Sequence, residues 1–114
     1  MNNLRNRVTL IGNLGSKPEI ITFDSGKKLA KVNIATTDRY RNSKGESVEK
    51  TYWHRLNIWN GLADVAEKYT DKGSEIAVEG RIVYSSYKDK EGVERQATEI
   101  EVNELLLLGK KRDS

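Results

Sequence analysis

Within Thr51–Trp59 (T-Y-W-H-R-L-N-I-W), every second position carries Trp53, Arg55, Asn57 and Trp59. Side chains alternate across a β-strand, so in an extended segment these four share one side. Two indoles with a guanidinium between them offer flat π-surfaces beside a positive charge. Unpaired nucleic-acid bases and their phosphates need that combination. Stacking contributes about 1–3 kcal/mol per base and accepts any base. The competing reading puts both indoles in the core of a barrel. Arg55 stands against it, because a buried guanidinium needs a partner.

Other residues could extend such a platform. Tyr40 and Tyr87 fall at strand ends beside basic loops, where an edge tyrosine and a ligand contact look alike. Arg39, Arg41, Lys44, Lys72 and Arg81 could line a groove that tracks a phosphate backbone, although each alone is an ordinary surface charge. His54 falls on the other side of its segment with Tyr52, Leu56 and Ile58, and reads as a packing residue. Leu105–Leu108 reads as strand core or a subunit contact.

The elements that must position these residues are mostly strands. Arg7–Asn13 alternates as a first strand, ended by Gly12, Gly15 and Pro18. Glu19–Phe23 is a short extended piece closed by a turn at Asp24-Ser25-Gly26. Lys28–Arg39 is a second strand with Ala30, Val32 and Ile34 on one face. Arg41–Lys50 is polar and contains Gly45, so it reads as a flexible loop. Thr51–Trp59 is the third strand. Gly61–Thr70 follows as a helix, its apolar stripe Leu62, Val65, Ala66 and Tyr69, with Asn60 as its cap and Gly73 as the left-handed residue past its end. Ser74–Lys88 is a fourth strand, Asp89–Gly92 a hairpin turn, and Arg95–Leu108 the fifth strand. Five strands with one short helix between the third and fourth predict an all-β, five-stranded Greek-key barrel of the OB-fold type.

Composition narrows the function. The 114 residues fit one domain, carry a net charge of +3, and include one histidine and no cysteine. A disulfide or thiolate metal site is excluded, and a histidine cluster cannot form. No segment is long and apolar enough to span a bilayer, and the polar start at Met1–Arg7 lacks the apolar core of a signal peptide. The segment I-G-N-L-G at 11–15 lacks the lysine and following helix of a phosphate-binding loop. No enzyme activity, cofactor or metal is expected, and the expected compartment is the cytoplasm.

Several segments together closely resemble the bacterial single-stranded DNA-binding protein family: N-R-V-T-L-I-G-N-L-G (6–15), A-K-V-N-I-A-T-T (30–37), T-Y-W-H-R-L-N-I-W (51–59), L-A-D-V-A-E-K-Y (62–69), K-G-S-E-I-A-V-E-G-R-I (72–82) and T-E-I-E-V (98–102). The resemblance runs from about Asn6 to Leu108 and implies an OB-fold over residues 1–108 that assembles as a homotetramer. It implies sequence-independent binding and protection of single-stranded DNA in replication, recombination and repair, close to the nucleoid. The family's stacking aromatics fall on Tyr40, Trp53, Trp59 and Tyr87. Its basic contacts fall on Arg55 and Lys72, and its subunit-contact histidine on His54.

Departures carry expectations of their own. Gly61 stands where many relatives carry a lysine, and Val83, Ser85 and Ser86 replace residues that are often basic. Fewer neutralised phosphates would mean a grip less sensitive to salt. Residues 109–114 are expected to be a short, basic, disordered end where the family usually has an acidic tip, whether through truncation or because the chain is a tail-less variant. No recruitment of repair enzymes through a tail is therefore expected. The runner-up is a primosomal-type replication-restart adaptor, which carries fewer stacking aromatics. A nuclease or ligase accessory domain is a remote third.

Overall fold

The computed structural model describes residues 4–109. The chain runs β1 (Val8–Leu14), β2 (Glu19–Thr22), β3 (Lys28–Arg41), β4 (Ser47–Trp59), α1 (Asn60–Tyr69), β5 (Glu75–Lys88) and β6 (Glu94–Gly109). Five of the six strands close into a barrel. β1 pairs with β5, β5 with β6, β4 with β3 and β3 back with β1, all antiparallel, while β4 and β6 run parallel. The short β2 lies along β3 over Lys28–Lys31, beside the stretch that β1 takes at Ile34 and Ala35. This is the OB-fold predicted from the strand pattern, with the helix in the expected place.

The barrel interior follows from alternation. Ala30, Val32 and Ile34 of β3, Leu56 and Ile58 of β4, Ile76 and Val78 of β5, and Ile100 and Val102 of β6 are all buried. They form one core with Leu14 and with Ala63 and Ala66 of α1. Burial of this apolar surface is the main term holding the fold.

Three expectations need correction. Arg41–Lys50 is not a flexible loop: β3 continues to Arg41 and β4 begins at Ser47. Only residues 42–46 turn, and the Asn42 side chain organises them by accepting the Lys44 and Glu46 amides at 2.9 and 3.0 Å, with Gly45 at φ 78°. The hairpin projects from the barrel with both faces in water, so its polar residues need no buried partner. Asn60 does not cap the helix: it is the first helical residue, at φ 54°, and its Oδ1 accepts the Lys28 amide across the sheet at 3.2 Å. The predicted helix stripe holds at Leu62, which packs on the core, at half-buried Val65 and at Ala66, but fails at Tyr69. Ala63 and Ala66 are its buried residues, while Tyr69 is 67% exposed.

Gly73 does take a left-handed conformation, φ 90°, in the turn that leads into β5. Its amide donates to the Leu14 carbonyl at 2.8 Å and ties that turn to the end of β1. Among the described residues no helix is long and apolar enough to cross a membrane. Residues 110–114 of the predicted basic end lie outside the described residues.

Candidate nucleic-acid interface

On β4 the alternates of the core residues Leu56 and Ile58 are Trp53, Arg55, Asn57 and Trp59, and the four have different environments. Trp53 is 62% exposed. Its six-membered ring lies against Gly15, the first residue after β1, whose amide donates to the Asn33 carbonyl at 3.0 Å. The indole thus rests on a fixed backbone with its outer face open.

Trp59 is half-buried. Phe23 stacks on it with ring centroids 6.0 Å apart and planes 23° apart, and its Nε1 donates to Glu101 Oε1 at 2.9 Å. Asn57, between the tryptophans, is only 8% exposed and spends its amide on Glu99 Oε1 and Glu101 Oε2 at 2.9 and 3.1 Å. It braces the floor and leaves Arg55 as the exposed residue between the indoles.

A groove of about 310 Å³ runs beside Arg55 and Asn57. Lys17 and Lys31 line it, with Asn33 and Glu99. Lys31 and Asn33 stand directly across from Asn57 and Arg55 in the β3–β4 ladder. Among the described residues no ion pair is recorded for Lys17, Lys31, Arg55, Lys72 or Arg81. Each is an available cation. Glu99 and Glu101 stand on the β6 side and the cations on the β1–β3 side, where Glu19 also lines the groove across from Lys31.

The remaining predicted residues spread around this centre. Lys72 precedes Gly73, whose amide meets the Leu14 carbonyl, so it sits by the end of β1. Tyr87, 48% exposed, follows Arg81, Val83 and Ser85 on the outward side of β5, far out along the β5–β6 arm. Arg81 does not enter the groove between the tryptophans; it lines a separate one with Arg5, Asn6, Arg7 and Asn103. Arg41 and Lys44 lie at the tip of the β3–β4 hairpin, where Arg41 Nη1 donates to the Gly45 carbonyl at 3.0 Å. Arg39 is taken up by Glu49 at 2.8 Å.

Tyr40 is the exception to the expected grouping. It stands across from Val48, and the ladder is unbroken from there to Trp53. Strict alternation puts Tyr40 on the face of the hairpin opposite Trp53. His54 is half-buried with Nε2 2.9 Å from Thr36 Oγ1, beside Val8 and Leu10 at the barrel mouth.

Sequence reasoning missed Gly15, Lys17, Phe23, Lys31, Glu99 and Glu101. Lys31 and Asn33 were visible as the polar alternates of Ala30, Val32 and Ile34. The Glu101–Trp59 bond had no local signal, because it depends on the parallel pairing of β4 with β6.

Comparison with known proteins gives a consistent answer. The model of the single-strand binding protein family matches residues 5–108. The chain is 42% identical over 110 residues to single-stranded DNA-binding protein 1 of Xylella fastidiosa, covering 96% of this chain and 81% of that protein. It is 38% identical over 104 residues to the single-stranded DNA-binding protein of Xanthomonas campestris, covering 91% of this chain and 60% of that relative's length. Among solved structures, the Plasmodium falciparum SSB complex with ssDNA superposes with a TM-score of 0.82 at 29% identity, covering 91% of this chain and 95% of that one.

Proposed function

The chain belongs to the single-strand binding protein family, and on that premise we propose that it binds single-stranded DNA by base stacking and phosphate neutralisation, tolerating any sequence. One observation carries the reading: an exposed Trp53 and a Phe23-backed Trp59 share a face of β4 with Arg55, which lines a groove with Lys17 and Lys31. Among the described residues these three cations form no ion pair. Bases stack on the indoles, and phosphates pass on the side of Lys17, Lys31 and Arg55. Glu99 and Glu101 repel phosphate from the β6 side, so it passes nearest Arg55 and Lys17, with Glu19 beside Lys31. Lys72 extends the cationic path at the β1 end. Tyr87, Arg81, Arg41 and Lys44 give the strand further contacts along the arms. In the cell this activity protects single strands during replication, recombination and repair, at the nucleoid.

The test is a titration of intrinsic tryptophan fluorescence with oligo-dT at low and high salt. Strong quenching, with affinity that falls as salt rises, is the expected result. Absence of quenching and binding would remove the proposal.

We extend the reading to a homotetramer. Its support is a pair of unsatisfied surfaces. Val8–Gly12 of β1 pairs with β5 alone, so among the described residues its other edge has no strand partner. Ile11 and Leu106, 55% and 62% exposed, flank Ala77 in one cross-strand row. His54, at the barrel mouth beside Val8, is the proposed subunit-contact histidine. A mass from light scattering of four chains is expected, and the mass of a monomer would overturn the assembly.

A further inference from the structure

Beyond the barrel, β3 and β4 form a two-stranded arm with a second face that the reading above leaves unused. Its rows are fixed by the ladder: Tyr40 with Val48, Asp38 with Lys50, Thr36 with Tyr52. Tyr40 is 51% exposed and Tyr52 is 42% exposed. Lys50 lies in the row between them, its Nζ 5.6 Å from the Tyr52 ring centroid. A ring, a cation and a ring in succession repeat the composition of the Trp53–Arg55–Trp59 face.

The edge between the two faces is open. β4 pairs with β6 only at Leu56 and Asn57, so among the described residues Ser47–Arg55 has no strand on that side. A ligand crossing this edge passes directly from Trp53 to Tyr52, neighbours in sequence that face opposite ways. A second copy of the chain suits the patch less well, because Asp38 and Lys50 occupy its centre and interface cores are depleted of charge.

We propose that Lys50 and Tyr52 join Tyr40 in a second contact patch for single-stranded nucleic acid. The strand turns around the free edge of β4 and is held on both faces of the arm. The proposal rests on the function proposed above and adds to it a path that a single stacking face does not have.

Two measurements test it. The first is photocrosslinking of the full chain to oligo-dT of about 16 nucleotides, the upper site size for one such barrel, carrying 5-iodouracil, with peptides identified by mass spectrometry. Crosslinks at both Tyr52 and Trp53 are expected; a crosslink at Trp53 with none at Tyr52 would overturn the patch. The second compares affinities for the same oligonucleotide without the label. Tyr52→Ala is expected to weaken binding by about five- to tenfold while Tyr52→Phe, which keeps the ring, binds like the parent. Parent-like binding by Tyr52→Ala would overturn the proposal. So would a fall in assembly mass for Tyr52→Ala without any Tyr52 crosslink in the parent, which would make the face a contact between copies. If the parent neither binds nor crosslinks, the function reading fails first, and the patch with it.

Discussion

A β-carbon on Gly15 would lie 2.4 Å from Cζ3 of Trp53 and 2.7 Å from its Cη2. No side chain fits there unless the indole moves. The glycine just past the first strand is thus also the seat of Trp53, the more exposed of the two tryptophans. Gly15→Ala is expected to tilt Trp53 off its seat and weaken oligo-dT binding by about tenfold, part of the loss from removing one stacking ring. The double variant Gly15→Ala/Trp53→Ala should bind no worse than Trp53→Ala alone, because the displaced ring is already gone. Additive losses in that cycle would show that Gly15 acts elsewhere.

The two tryptophans should separate in stability while agreeing in binding. Trp53→Ala removes an exposed ring and should cost less than about 1 kcal/mol of folding free energy. Trp59→Ala removes the partner of Phe23 and the donor to Glu101, and should cost about 2–4 kcal/mol. Urea denaturation of the free proteins measures both. Equal costs would contradict the difference in their environments.

Much of this was legible in the sequence, and the failures share a physical cause. Alternation at Ala30, Val32, Ile34, Leu56 and Ile58 marked the core because one face of those strands is buried while Lys31, Asn33 and Arg55 on the other meet water. The arm was misread because Ser47–Lys50 has water on both faces, so composition there carries no strand signal. Tyr40 has the parity of Ala30, Val32 and Ile34, and because β3 runs unbroken to Arg41 that parity alone puts it on the face opposite Trp53. The strand predicted from the sequence ends at Arg39, so its alternation is not carried to Tyr40. Phe23 and Glu101 reach Trp59 from distant parts of the chain, and no local pattern encodes such meetings.

The groove cations should appear in the salt dependence. Lys31 lines the groove and has no recorded ion-pair partner, so Lys31→Ala should reduce the slope of log affinity against log salt by about 0.7. Thermal unfolding should barely change. An unaltered slope would mean that phosphates pass elsewhere.

Acid should loosen the tip of the β5–β6 arm before it affects the barrel. The Arg95 guanidinium beside Asp89, joined by the Val93 and Glu91 amides, holds the Asp89 carboxyl below its ordinary value of 3.8. A lowered pKa means that Asp89 stabilises the turn above that value, and the contribution is lost as pH falls through the depressed folded-state pKa. Amide exchange at Glu91 and Val93 should therefore gain on that of the barrel below about pH 4. Asp89→Asn should show the faster exchange at neutral pH already. Unchanged exchange at these amides in that variant would contradict the assignment.

Barrel closure rests on two narrow seams, Asn13 and Leu14 against Ala35 and Ile34, and Leu56 and Asn57 against Ile100 and Glu101. The β3–β4 and β5–β6 hairpins need only neighbouring sequence to form, whereas each seam closes a loop many times longer. On loop closure alone the hairpins are expected to form before the pairings of β1 with β5 and β3 and of β4 with β6. The order leaves the Trp53–Trp59 segment a formed hairpin before it has a floor, with Glu101 and Gly15 arriving only as the ring shuts.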